Sequence, residues 1–258
     1  MDIPAYLRRI DYQKPIEPDV QTLRELHIAH LMSTPFENLD IHLGRQIVLD
    51  ENKLISKIVN ERRGGFCYEL NGAFAALLRE IGFKVDLLSA GVANKTGGFD
   101  PPFDHMALAI TLEDRWLADV GFGDSFGEPL LLDSRAEQKQ NGESYRIVDE
   151  ADGEHLILER HHDNGWEPQY RFTVQTCELG DFAEMCRYHQ TSPDSPFTNK
   201  RTCTLATPEG RITITGMRLI TTAGGERSER QLKDMDDYAD ALRTYFGVEL
   251  PHLNFKQM

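Results

Sequence analysis

A thiol acting as a nucleophile needs a base to take its proton, and an imidazole acting as that base needs a carboxylate to fix its tautomer. Cys67, His105 and Asp119 supply those three groups in chain order. Cys67 lies in Arg62-Arg63-Gly64-Gly65-Phe66-Cys67-Tyr68-Glu69-Leu70-Asn71, where a glycine pair leads into apolar residues Phe66, Leu70, Phe74, Leu77 and Ile81. Their steps of three and four predict a helix with Cys67 in its first turn and Gly82 just past its end. At a helix N-terminus, unpaired N–H groups and the positive end of the macrodipole favour a thiolate, and such cysteines reach pKa values of about 3.5–7.5. A cysteine is equally a common core residue, so its partners decide the reading. His105 sits in Phe103-Asp104-His105-Met106-Ala107-Leu108, and Asp119 in Trp116-Leu117-Ala118-Asp119-Val120-Gly121-Phe122-Gly123; each is polar within an apolar stretch.

The elements that must position these groups change character along the chain. Residues 1–82 read as helical. Pro18 and Asp19 open a helix with an apolar stripe at Val20, Leu23, Leu26 and Leu31, which leaves His27 and His30 to the surface or an interface. Thr34-Pro35 ends it, and Asp50 caps a further helix carrying Leu54, Ile55, Ile58 and Val59. After Gly82 the period becomes two: strands are expected at 83–87, 106–112, 116–120, 145–148, 155–160 and 169–174. If Glu113-Asp114 is the tip of a two-residue hairpin, Asp119 falls opposite Leu108, about 10 Å along the strand from His105. A bulge or a strand bend near His105 would then be needed to bring the pair together. Residues 181–188 read as a short helix, 202–206, 211–215 and 217–221 as strands, and 236–246 as a closing helix.

Composition narrows the class. With 258 residues, 40% hydrophobic and 27% charged, the chain can bury a sizeable core. The longest strongly apolar run, residues 73–78, is far short of a membrane span, and the first residues do not open a signal peptide, so a cytoplasmic protein is expected. Cys67, Cys177, Cys186 and Cys203 show no C-x-x-C or short zinc-ligand spacing, so no metal is expected. His161-His162 with His155 reads as a solvated turn rather than a ligand set, as no carboxylate cluster completes it. A net charge of −14 argues against nucleic-acid binding. It also means that any anionic substrate must find a local basic or N–H-rich patch.

The cysteine segment, the histidine 38 residues on, the Trp-Leu-Ala-Asp-Val-Gly-Phe-Gly stretch and Pro35-Phe36-Glu37-Asn38-Leu39 together resemble the arylamine N-acetyltransferase family. The resemblance covers the chain. It implies an α+β fold: a helical domain (1–82) carrying the nucleophile, a β-barrel-like domain (83–190) carrying His105 and Asp119, and an α/β lid (191–258), with a cysteine-protease-like catalytic core. It implies ping-pong transfer of an acetyl group from acetyl-CoA, a co-substrate rather than a bound cofactor, to an arylamine or arylhydrazine. Phe36, Phe122 and Phe197 then fall in the acceptor pocket, and Glu37 and Arg63 form a buried charge pair. Thr96, Gly97, Gly98, Phe103, Phe126 and Gly127 fall where coenzyme contacts are expected. Pro101-Pro102-Phe103-Asp104 departs from the Thr-containing approach to the histidine expected of the family. An amide synthase of the same family, or a papain- or transglutaminase-like thiol hydrolase, uses the same three residue types.

Overall fold

The computed structural model describes residues 1–250 and 255. α1 (Ile3–Arg9) and α2 (Val20–Ser33) start at aspartate caps, Asp19 accepting the Thr22 N–H at 2.7 Å. β1 (Phe36–Glu37), α3 (Leu39–Leu43), α4 (Glu51–Ile55) and a π-helical turn (Ser56–Asn60) lead to α5 (Cys67–Ile81). The glycine pair before α5 runs against the Pro35 backbone: a Cβ on Gly64 would stand 1.8 Å from the Pro35 carbonyl oxygen, so no larger residue fits. Every residue of α5 from Cys67 to Leu78 is buried, so the helix passes through the core instead of lying on it with one apolar stripe. Among the described residues, no helix is long and apolar enough to cross a membrane.

His27 and His30, expected at the surface or an interface, are fully enclosed in the packing of α2 against its neighbours. α2 lies between α1, α5 and the 119–127 segment, and its histidine face packs on aromatic rings: His27 on Phe126 (5.7 Å, stacked) and His30 on Phe74 (5.2 Å). Burial lowers both imidazoles, His27 to about 4 and His30 to about 3, so they are neutral packing groups.

Eight strands follow: β2 (Lys84–Val92), β3 (His105–Thr111), β4 (Arg115–Ala118), β5 (Leu130–Leu131), β6 (Gln138–Gln140), β7 (Glu143–Asp149), β8 (Leu156–His162) and β9 (Gly165–Cys177). They form one antiparallel sheet in the order β5-β4-β3-β2-β9-β8-β7-β6. Its two ends meet through side chains. The Gln138 amide bonds the N–H and C=O of Leu131, and the Gln140 amide does the same for Glu128, so the sheet curls into a nearly closed barrel. His161 and His162 finish β8 and are not in a turn. Carboxylates do gather at His155, contrary to the spacing argument. Asp152 accepts from its ring and backbone, and Glu150 faces Arg171 at 3.5 Å, so the group ties down a turn.

A 3₁₀ turn (Leu179–Phe182), α6 (Ala183–Thr191) and α7 (Pro196–Asn199) precede β10 (Thr202–Thr207), β11 (Gly210–Thr215), β12 (Arg218–Ala223), β13 (Glu226–Gln231) and α8 (Met235–Phe246). The second sheet has the order β1-β10-β11-β12-β13. Its edge strand comes from the N-terminal third, with Phe36 opposite Thr204 and Glu37 opposite Cys203. β13 is exposed at every position and carries no apolar alternation, which is why periodicity missed it.

Where β1, α3 and α5 meet, five charges are buried together. Arg63 binds Glu37 (2.6 and 2.9 Å) and Asp40 (3.1 Å), while Lys57 binds Glu69 (2.7 Å) and Asp40 (2.8 Å). Three carboxylates face two cations, and burial, with Glu37 and Asp40 adding to it against Lys57, raises Glu69 to about 7. Unfolded, Glu69 titrates near 4.5, so between these values the folded state holds more protons and its stability falls as pH rises. Glu69→Gln is expected to flatten this slope in denaturant titrations compared at about pH 5 and about pH 7.5; an unaltered slope would refute the assignment.

Candidate active site

The hairpin between β3 and β4 settles how His105 and Asp119 meet. Its loop has three residues, 112–114, and pairing starts at Thr111 opposite Arg115, which places Ala118 opposite Leu108. Asp119 is therefore one place nearer His105 than a two-residue turn allows, just past the end of β4 and level with Ala107. It becomes a diagonal neighbour of His105 on one face, within reach of two such side chains. No bulge interrupts this pairing; the register shifts of the sheet lie between β2 and β9 and between β8 and β9. His105 Nε2 stands 2.7 Å from Asp119 Oδ2, and both side chains are buried.

Asp119 is held from several sides. Its backbone N–H donates to His27 Nε2 at 3.1 Å, while His27 Nδ1 donates to the Gly127 carbonyl at 2.8 Å. Asn71 donates to Asp119 Oδ1 (2.9 Å) and the Met106 carbonyl (2.6 Å), and accepts the Val120 N–H (2.9 Å). Gly121 N–H donates to the same Oδ1 at 2.9 Å. Burial opposes ionisation of Asp119, but the His105 imidazole and these donors outweigh it and hold the carboxyl below its ordinary range. Asn71 had no assigned role in the sequence. Its signal was there, since it follows Cys67 by four residues and so shares its helix face amid apolar neighbours.

Cys67 is the first residue of α5 and is 3% exposed. A Cβ on Gly121 would lie 2.8 Å from Cys67 Cα, so the helix start and the Asp119 loop are in backbone contact and only glycine fits. The Met106 backbone, one residue from His105, is the nearby group that favours the Cys67 thiolate. The lowered pKa expected from the helix terminus does not hold. Burial pushes the thiol well above its ordinary value, Asp104 and Asp119 push the same way, and the Met106 backbone only partly opposes them. The approach to His105 is set by Tyr68, whose hydroxyl donates to the Phe103 (2.7 Å) and Asp104 (3.0 Å) carbonyls. Phe103 takes a positive φ of 68°, and its N–H donates to Ser89 Oγ.

A family profile described as N-acetyltransferase matches residues 19–255. An arylamine N-acetyltransferase / N-hydroxyarylamine O-acetyltransferase of Salmonella typhimurium is 35% identical over 95% of this chain and 88% of its own length. The chain belongs to the arylamine N-acetyltransferase family. A Mycobacterium tuberculosis arylamine N-acetyltransferase is 33% identical over 97% of this chain and 90% of its own. The solved arylamine N-acetyltransferase of Salmonella typhimurium superposes with TM-score 0.91 at 31% identity, over 99% of this chain and 94% of that one. That of Mycobacterium marinum, solved in complex with CoA, does so at 0.88 and 30%, over 96% and 93%.

Around the pair of this arylamine N-acetyltransferase family member, Phe122 meets the His105 ring edge-on at 5.3 Å. Phe36 and Phe197 pack on each other at 6.2 Å, and the Phe36 ring lies against Gly123. Phe122, Phe126, Gly127 and Asp119 line one cavity of about 90 Å³; two larger hollows, about 460 and 410 Å³, are lined by none of Cys67, His105 and Asp119. Thr96, Gly97 and Gly98 form an exposed hairpin tip tied to the Asn94 side chain, and line none of these cavities. Phe103 packs on Phe182 at 5.2 Å. Glu37 and Arg63 form the buried pair at the start of α5.

Asn71→Ala removes a donor from Asp119 and a tie from Met106 and Val120 together. Small misplacements of this kind cost about 10²-fold, so kcat for acetyl transfer is expected to fall by roughly that factor. Steady-state kinetics beside a thermal melt tests it: activity near wild type would remove Asn71 from the positioning of Asp119.

Proposed function

We propose that the chain transfers an acetyl group from acetyl-CoA to the nitrogen of an arylamine or arylhydrazine by a ping-pong route through acetyl-Cys67. The observation that supports this most is the enclosed His105–Asp119 contact, with Cys67 on the adjoining helix start. Asp119 occupies Nε2, which leaves Nδ1 of His105 for the thiol proton. Because burial keeps Cys67 protonated, the base is needed in the step itself. The sulfur attacks the thioester carbonyl, and the Cys67 and Tyr68 N–H groups, which have no acceptor among the described residues, receive the oxyanion. The carbon–sulfur bond to CoA breaks, and His105 returns the proton to the leaving thiolate. The amine nitrogen then attacks acetyl-Cys67, His105 takes its proton, and the cysteine sulfur leaves. Phe36, Phe122 and Phe197 shape the acceptor side and keep water from the thioester.

With acetyl-CoA alone, a burst of one CoA per site and slow turnover thereafter are expected, with acetyl-Cys67 found by mass mapping. Adding an arylamine should restart turnover with parallel double-reciprocal lines. Rapid amine-independent hydrolysis would instead favour a thiol hydrolase, and intersecting lines without acetyl-Cys67 would favour direct transfer. Cys67→Ser should abolish the burst, and Asp119→Asn should lower kcat by roughly 10²–10⁴; activity within a few-fold of wild type in either variant would overturn the role of that residue.

A further inference from the structure

The acyl donor of the proposed reaction carries several phosphate charges, whereas the chain carries −14. A donor phosphate therefore needs a cation at a specific place near the site. Of the residues that line the cavity shared with Asp119, one is a cation: Arg211 of β11, opposite Ala206 of β10. Its side chain is 22% exposed, so much of its hydration is lost. Its nearest carboxylate is Asp124, at 3.4 Å from Nε, and Asp124 is itself 65% exposed and also faces Arg160 at 3.8 Å. Neither distance is that of a charge-assisted hydrogen bond, which lies near 2.7–2.9 Å. The contrast with Arg63, enclosed by carboxylates at 2.6 and 3.1 Å, is clear. Arg160 is already committed to Glu143 at 2.7 Å, and the other bond of Arg211 goes to the neutral Thr204 hydroxyl at 3.3 Å.

A second, independent group points the same way. Ser125 lines the same cavity, and its Oγ is buried with no hydrogen-bond partner among the described residues. An unpartnered hydroxyl and a loosely paired guanidinium on one cavity are a donor set short of an acceptor. A phosphate supplies acceptor oxygens to both.

We propose that Arg211, assisted by Ser125, receives a phosphate of the acyl-CoA donor, and that Asp124 is the carboxylate which that phosphate displaces. This rests on the proposed acyl transfer from CoA. A cavity of about 90 Å³ is small beside the roughly 300–1,000 Å³ of sites that enclose a whole ligand. Only a phosphate of the donor enters it, and the adenosine lies outside.

The test compares acetyl-CoA with S-acetyl-N-acetylcysteamine, a thioester without phosphates. In Arg211→Gln the ratio of kcat/KM for acetyl-CoA to that for the phosphate-free thioester should fall about tenfold or more, the loss of a hydrogen bond to a charged group. Arg211→Lys should fall between it and wild type, and Asp124→Asn should shift the ratio the other way by removing the competing carboxylate. Inorganic pyrophosphate should compete with acetyl-CoA in wild type and much less in Arg211→Gln. An unchanged ratio in Arg211→Gln, or a lower ratio in Asp124→Asn, would overturn the proposal. Calorimetric binding of CoA to the same variants, with melting curves to establish folding, separates this from the transfer reaction. Weaker CoA binding in Arg211→Gln without acetyl transfer in wild type would uphold the phosphate contact and overturn the function; equal CoA binding in the folded variants would overturn the contact.

Discussion

An ionised carboxylate out of reach of water must be held by donors, and the site depends on how Asp119 is held. Its oxygens receive His105 Nε2, the Asn71 amide and the Gly121 N–H, and its own N–H is received by His27. These groups come from β3, α5, the loop after β4 and α2, so one buried charge fixes four parts of the chain against each other. With the donors lost, the carboxylate would protonate or draw in water, and the imidazole would lose the partner that sets its orientation.

A second set of buried charges fixes the start of α5. Glu69 accepts the Phe66 N–H at 3.1 Å and the Lys57 ammonium at 2.7 Å, while Arg63 is held by Glu37 and Asp40. Glu37 belongs to β1, the strand that the C-terminal sheet takes as its edge. The entry of the chain into Cys67 is thus held from both the N-terminal helices and the C-terminal sheet. Buried ion pairs add little net stability over apolar packing, but losing one partner leaves a charge stranded and costs several kcal/mol, on the order of 3–5. That asymmetry favours one geometry over nearby alternatives.

Two opposing fields act on Cys67. The open end of a helix favours a thiolate, while enclosure and the charges of Asp104 and Asp119 push the thiol well above its ordinary range. Asp104 belongs to the segment that departs from the Thr-containing approach expected of the family, and it approaches His189 Nε2 at 3.0 Å. The sulfur is therefore a nucleophile only when a base takes its proton, which links its reactivity to His105.

The amino-acid sequence by itself determined what is local. The helix beginning at Cys67, its stop at Gly82, the Asp19 and Asp50 caps and most strands follow from periodicity and capping chemistry, which act within a few residues. The candidate residues Cys67, His105 and Asp119 were legible from their types and flanking segments. Only the tertiary structure decided what depends on distant neighbours. It decided that His27 and His30, left by the sequence to the surface or an interface, are enclosed, gave Asn71 its part, recruited Phe36 and Glu37 into the C-terminal sheet, and raised the pKa of Cys67 where local chemistry lowers it. One extra residue in the β3–β4 loop, invisible to period-two patterning, brought Asp119 to His105 without a bulge. The reason is common to all of these: burial and register are set by what packs on a segment from elsewhere in the chain, and no local pattern encodes that.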